Sequence, residues 1–293
     1  MVIRRKSAVV VSFLVIMIGL LFFIWPSRIN HPLLVLLASK NDRVALEVFF
    51  RRIVSKVDFG YTIFGSKPVS ITGYFDPLPA ENILVDKGEN GIIRDGWEVW
   101  KRFRFLFPMK DYLFLEEASD VVSTLTEIIL VNKLAFTETV NANLDLFRKV
   151  LRKEVSAEKM LAELEKGQTR LCDLLGRHEG LLGIVLGYGR ENALLYQRRM
   201  ELNIHNPWPQ FSLSKITPKK GHQTLEEEIA FLRDLDVVEE HHMLRPIELP
   251  AFFGIKESTE SKELIEQYRA TEAKILQFYY SKDFLKHTLT RLH

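Results

Sequence analysis

Cysteine is nearly absent: Cys172 stands alone among 293 residues. No internal disulfide can form, and a lipid-modified N-terminal cysteine is excluded. An excess of charge of one sign is missing as well. Forty Lys and Arg face 38 Asp and Glu, a net charge of +2, so the chain has no general basic field of the kind that draws nucleic acid, and nucleic acid is not expected as a partner. Repeats and low-complexity tracts are lacking, and 47% of the residues are apolar, enough for a proper core. Familiar catalytic spacings are missing too: no H-E-x-x-H, no G-x-S-x-G and no glycine followed by Lys in a phosphate-loop pattern.

What is present begins at the amino terminus. Arg4, Arg5 and Lys6 precede an uncharged apolar run from Ala8 to Trp25, which ends at Pro26. At 1.5 Å per residue this run spans about 27 Å, close to the hydrocarbon thickness of a bilayer. It is longer than a signal-peptide core and ends in Phe22-Phe23-Ile24-Trp25 where cleavage needs small residues. The expectation is an uncleaved signal anchor at 8–25, with a cytoplasmic tail at 1–7 and a linker at 26–40. Positive charge before the span then places 41–293 outside the membrane, periplasmic in a Gram-negative cell. The bilayer itself is the first expected partner.

Residues 41–293 read as one α+β domain: a small antiparallel sheet packed on helices mainly from the carboxyl-terminal half. Asn41 or Asp42 is expected to cap a helix bearing Ala45, Val48, Phe49, Ile53 and Val57. Tyr61 to Phe75 predicts two short strands around Gly65-Ser66-Lys67-Pro68. Arg102 to Glu116 predicts a hairpin, because Phe103, Phe105 and Phe107 alternate before a Pro108 turn; Glu127 to Val131 adds a strand. From Thr137 helices are expected: one through Val140, Leu144, Phe147 and Leu151, one capped by Ser156 and ending at Gly167, one from near Thr169, and one opened by Thr224 with Glu227. Pro246 to Gly254 reads as extended, before final helices at about 258–280 and 282–292.

The densest candidate site is the segment GRHEGLLGIVLGYGREN, 176–192. Gly176, Gly180, Gly183 and Gly187 are spaced 4, 3 and 4 apart, which puts them on one face of a helix and predicts close packing against another element. Gly187-Tyr188-Gly189-Arg190-Glu191-Asn192 fails the dinucleotide fingerprint at its third glycine, yet glycines beside an arginine at a helix break can hold an anion. These six residues are the candidate ligand-binding set. Asp234, Asp236, Glu239, Glu240, His241 and His242 form an acid and imidazole cluster with poor ligand spacing, so no metal and no cofactor are expected. Cys172 and His178 are six apart, about 120° from each other on a continuous helix, a weak nucleophile and base pair. Glu116 and Glu117 should face opposite sides of a strand.

Through FGYTIFGSKPVSI (Phe59 to Ile71), LLGIVLGYGRENALLY (Leu181 to Tyr196), LPAFFG (Leu249 to Gly254) and YYSKDFLKHTL (Tyr279 to Leu289), the chain resembles a family of membrane-anchored proteins of chlamydia-like bacteria. The resemblance implies one domain over nearly all of the extracytoplasmic part and carries no activity or site residue. With no surviving catalytic constellation, the expected function is a membrane-tethered interaction or scaffolding module with a protein partner in the bacterial envelope. The alternative is an envelope enzyme or small-molecule-binding protein with its site around 187–192.

Overall fold

The computed structural model describes residues 34, 37–78, 86–119, 122–202, 217–219, 221–238 and 246–293. The expected tail and anchor, 1–25, lie outside them, as do Glu239 to His242. Among the described residues no helix is long and apolar enough to cross a membrane.

Helix α1, Lys40–Lys56, starts earlier than expected. Ser39 is its cap: Ser39 Oγ accepts the Asp42 N–H at 3.1 Å and Asp42 accepts the Ser39 N–H at 3.2 Å, a reciprocal box that replaces Asn41 or Asp42 as the cap. Helix α2, Phe59–Phe64, replaces the first expected strand. Its aromatic and β-branched residues suggest strand by propensity, but all six are buried, so no exposed face reveals the period. Strand β1, Val69–Phe75, follows as expected.

Helix α3, Lys87–Phe103, has no counterpart among the expected elements. Asp86 caps it through the N–H groups of Gly88 and Glu89, and Ile93, Gly96, Trp97 and Trp100 form its buried stripe. This stripe overturns the Phe103-Phe105-Phe107 hairpin. The helix runs through Phe103, a short 3₁₀ turn spans Arg104–Leu106, and Phe105 is left 63% exposed while Phe107 is buried. Gly96 lets α3 cross α1 directly over Phe49.

Strands β2, Tyr112–Ala118, and β3, Leu125–Asn132, complete an antiparallel sheet in the order β1-β3-β2. Val69 pairs with Val131 and Phe114 with Leu130. Four consecutive buried residues in β3, Ile128 to Val131, show that both sheet faces are covered. Ile128, Leu130, Tyr74 and Phe114 face a first core with α1, α2 and α3. Phe114 lies 6.2, 5.5 and 5.8 Å from the Phe59, Trp97 and Trp100 rings, pairs worth about 0.5–1.5 kcal/mol each beyond their burial. Val69, Ile129 and Val131 face a second core with the helices that follow.

The helix expected from Thr137 to Leu151 is two, α4 (Lys133–Ala142) and α5 (Leu144–Leu151), separated at Asn143. Ser156 caps α6, Ala157–Glu165, as expected, and a four-residue turn α7, Leu171–Leu174, leads to α8, Glu179–Val185, and α9, Arg190–Glu201. Thr224 caps α10, Leu225–Asp234. Strands β4, Asp236–Val238, and β5, Phe252–Gly254, pair antiparallel. Helices α11, Thr259–Tyr279, and α12, Phe284–Leu292, return to the first core through Tyr268, Ile275, Phe284 and Leu289. The fold is α+β as expected, but the sheet is sheathed by helices from both halves of the chain.

Candidate functional site

The glycine segment is not one helix. Gly176 and Gly187 lie in breaks before and after α8, and only Gly180 and Gly183 are helical. The 4-3-4 spacing is therefore accidental at its ends. Its middle carries the expected close packing: a Cβ on Gly183 would come within 2.9 Å of Ala193 Cβ on α9, and one on Gly180 within 3.2 Å of Gln197 Cβ. The two helices form a hairpin, tied by Gly180 N–H to Gln197 Oε1 at 3.0 Å.

Its turn is Gly187-Tyr188-Gly189, where φ of +80° and +87° at the two glycines reverses the chain in a region that disfavours L side chains. Tyr268 OH holds the Gly187 carbonyl at 2.7 Å. Lys67, only 2% exposed, donates to the Leu186 carbonyl at the end of α8, and its Nζ lies 4.5 Å from the Tyr188 ring centre. Burial pulls the Lys67 ammonium down to about 8, a fall that the Asp58 carboxylate opposes. Burial raises the Tyr188 phenol.

The start of α9 has the geometry of an anion site, and the chain fills it itself. Glu260 on α11 accepts the N–H groups of Arg190 at 2.7 Å, Glu191 at 3.1 Å and Asn192 at 2.9 Å. The Arg190 guanidinium grips Asp145 at 2.8 and 2.6 Å, and these hydrogen bonds hold the Asp145 carboxyl down to about 2. The Arg190 side chain is thus turned to a structural partner, and Glu191 contributes its backbone N–H to the same helix start.

Tyr188 and Asn192, by contrast, line a cleft of about 430 Å³ between α8, α9 and β5. Leu182, Gly183 and Leu186 form one wall, Ala193 and Tyr196 a second, and Phe252 and Phe253 the third. Asn192 is buried and held by the Tyr188 carbonyl at 3.1 Å and Ser261 Oγ at 3.3 Å. Tyr188 stacks on Phe252 with centroids 6.4 Å apart, and Tyr196 meets Phe253 edge-on at 6.1 Å. Two charged side chains, Glu179 and Arg199, also border the cleft. Arg199 Nη1 donates to the Leu232 and Leu235 carbonyls at 3.3 and 3.1 Å, and its guanidinium carbon lies 4.5 Å from the Phe253 ring centre. The preceding residue, Arg198, is bound twice by buried Glu228 at 2.8 and 2.9 Å, which fixes α10 to α9. Arg199 and Glu260 were not signalled by any local motif, and Phe252 and Phe253 stood only in the LPAFFG stretch, with no role attached.

The break between α7 and α8 brings Cys172 and His178 to one hollow of about 130 Å³, with Glu117 and Arg170, although a continuous helix would hold them apart. His178 Nδ1 accepts the Leu181 N–H at 3.2 Å, so the lone pair that a base on that nitrogen would use is already engaged. Glu117 caps α7 at the Leu171 N–H, whereas Glu116 bonds Lys101 and Tyr74 on the other sheet face. Among the described residues no group of three His, Cys, Asp or Glu could hold a metal ion. The cleft is the strongest site, and with its geometry in view no family model, no curated protein and no solved structure matches the chain.

Proposed function

We propose that this is a membrane-anchored binding protein of the bacterial envelope whose extracytoplasmic domain takes a small, largely apolar molecule in the cleft between α8, α9 and β5. The observation that carries this reading is the cleft itself: a concavity of about 430 Å³ walled by leucine, tyrosine and phenylalanine, within the size range of small-molecule sites. Tyr188 and Asn192 belong to the site, and the other four residues of the glycine turn and helix start build its frame. Binding without turnover fits the site's inventory, since among the described residues no Ser, Thr, Cys, His or Lys borders the cleft.

The test is calorimetry of the full chain in lipid nanodiscs, titrated with 4-phenylbutan-1-ol and corrected with empty nanodiscs. Saturable binding to the parent that Leu182→Trp removes, without loss of melting temperature, is the expected result. Equal heats from both proteins would refute the cleft as a site. The anchor at 8–25 is tested separately: a carboxyl-terminal alkaline phosphatase fusion should be active, and a mature chain beginning near Arg28 would refute it.

The interaction-module reading has its own support. Val44 and Val48 lie one turn apart on α1 and are 54% and 41% exposed. A protein partner seated there would be lost from crosslinked membranes on Val44→Asp with Val48→Asp, while Leu182→Trp would leave it.

A further inference from the structure

We propose that the cleft's occupant is an apolar or aromatic carboxylate and that Arg199 holds its carboxylate; this rests on the cleft being a ligand site. Arg199 borders the cleft and is fixed in place by two carbonyls on one edge and by the Phe253 ring on its face. Its Nε is buried and has no hydrogen-bond partner among the described residues. Arg199 as a residue is half-buried, but an unpaired donor whose own atom is buried is costly, and native structures rarely leave one unmatched without an ion, a water or a ligand to meet it.

The neighbouring arginine sharpens the contrast. Arg198 Nε and Nη2 meet a buried carboxylate and the Thr217 carbonyl. Arg199 is given only neutral carbonyls, and no carboxylate pairs with it among the described residues. Its Nε–H is therefore a donor that an incoming anion can satisfy, and the planar guanidinium suits a carboxylate in particular.

The walls set the rest of the ligand. Leu182, Leu186, Phe252 and Phe253 offer apolar surface, and the Tyr196 and Phe253 rings offer edges and faces to an aromatic or alkyl body. Glu179 borders the same cleft and opposes an anion, so it lowers affinity for the carboxylate without changing where the carboxylate sits.

Three probes with one body and different heads test this: 4-phenylbutyrate, 4-phenylbutan-1-ol and 4-phenylbutylamine, titrated calorimetrically into the full chain in nanodiscs. The acid is expected to bind the parent about tenfold tighter than the alcohol or the amine, the effect of one charge-assisted hydrogen bond. Arg199→Gln should bring the acid to the level of the alcohol and leave the alcohol unchanged. Glu179→Gln should tighten the acid. Because Arg199→Gln could loosen α10, Arg199→Lys serves as a second variant: it keeps a charge but lacks Nε–H, and should also lose most of the preference. If acid and alcohol bind the parent equally, or if both Arg199 variants keep the preference, the arginine assignment is overturned while the cleft stands, provided that Leu182→Trp still abolishes alcohol binding. If none of the three binds at millimolar concentration, the cleft reading falls with it.

Discussion

Replacing Glu260 by alanine tests whether α9 is held by a carboxylate supplied from another helix. In the parent one side chain accepts three N–H groups at the first turn of α9, at 2.7, 3.1 and 2.9 Å. A helix cap of this kind is worth about 0.5–2 kcal/mol, and a negative charge at a helix start adds about 0.3–1 kcal/mol. Glu260 is half-buried, so water reaches some of the freed amides and the two contributions are not simply summed. The expected loss for Glu260→Ala is about 1–3 kcal/mol, a fall of several degrees in melting temperature. Glu260→Gln should fall between, because one amide oxygen still accepts but the charge is gone. The assay is thermal unfolding followed by circular dichroism, repeated with sodium sulfate and sodium chloride at equal ionic strength. Sulfate should restore part of the loss in Glu260→Ala and do little specific to the parent, whose site is already filled. A variant that melts with the parent, with no difference between the salts, would show that Glu260 does not stabilise α9.

Gly183→Leu should destabilise by about 1–3 kcal/mol through overpacking against Ala193, with Gly183→Ala milder, as read from urea midpoints; equal midpoints would remove the close-packing account of the hairpin. Burial holds the folded-state Lys67 at about 8, below the ordinary lysine value of 10.5, so between these limits the unfolded chain binds the extra proton. Stability attributable to Lys67 therefore rises as pH rises from about 8 towards 10.5. The difference in stability between parent and Lys67→Met should shift in the parent's favour over that window, and a constant difference would refute the assignment. Removing one partner of the buried Arg198 and Glu228 pair, by Arg198→Ala, should cost about 3–5 kcal/mol, whereas Arg198→Met with Glu228→Leu should recover much of it; denaturant unfolding of the three chains decides.

The parts of this fold legible in the sequence are those whose cause is local. Ser156, Thr224 and Ser258 each lie three residues before the amide they cap, and each begins a helix where the sequence places one. Ile128 to Val131 is a strand by composition and by burial. Illegible were elements buried on every side or patterned by coincidence: Phe59–Phe64 has no wet face to set a period, and three alternating phenylalanines masked the end of α3. The site divides in the same way. Tyr188 and Asn192 stood out because glycines surround them. Arg199 reads as one more basic residue on a polar helix until β5 places Phe253 beneath it, and Glu260 caps a helix 70 residues away. Pairing at that distance leaves no local spacing to find.

Glu260 also orders events during synthesis. Helix α9 leaves the ribosome well before β5 and α11, so for an interval its first-turn amides have no carboxylate, and Ala193 and Tyr196 have no phenylalanine wall opposite them. The buried members of the second core end at Ala193, so none of them comes from these later residues. A chain terminated or cleaved between 202 and 250 would hold every buried member of that core, lack Tyr268, Ile275, Phe284 and Leu289 of the first, and present an open apolar face on α9. Such a fragment would be ligand-blind and attractive to chaperones, whereas the finished chain closes the same face from the far side.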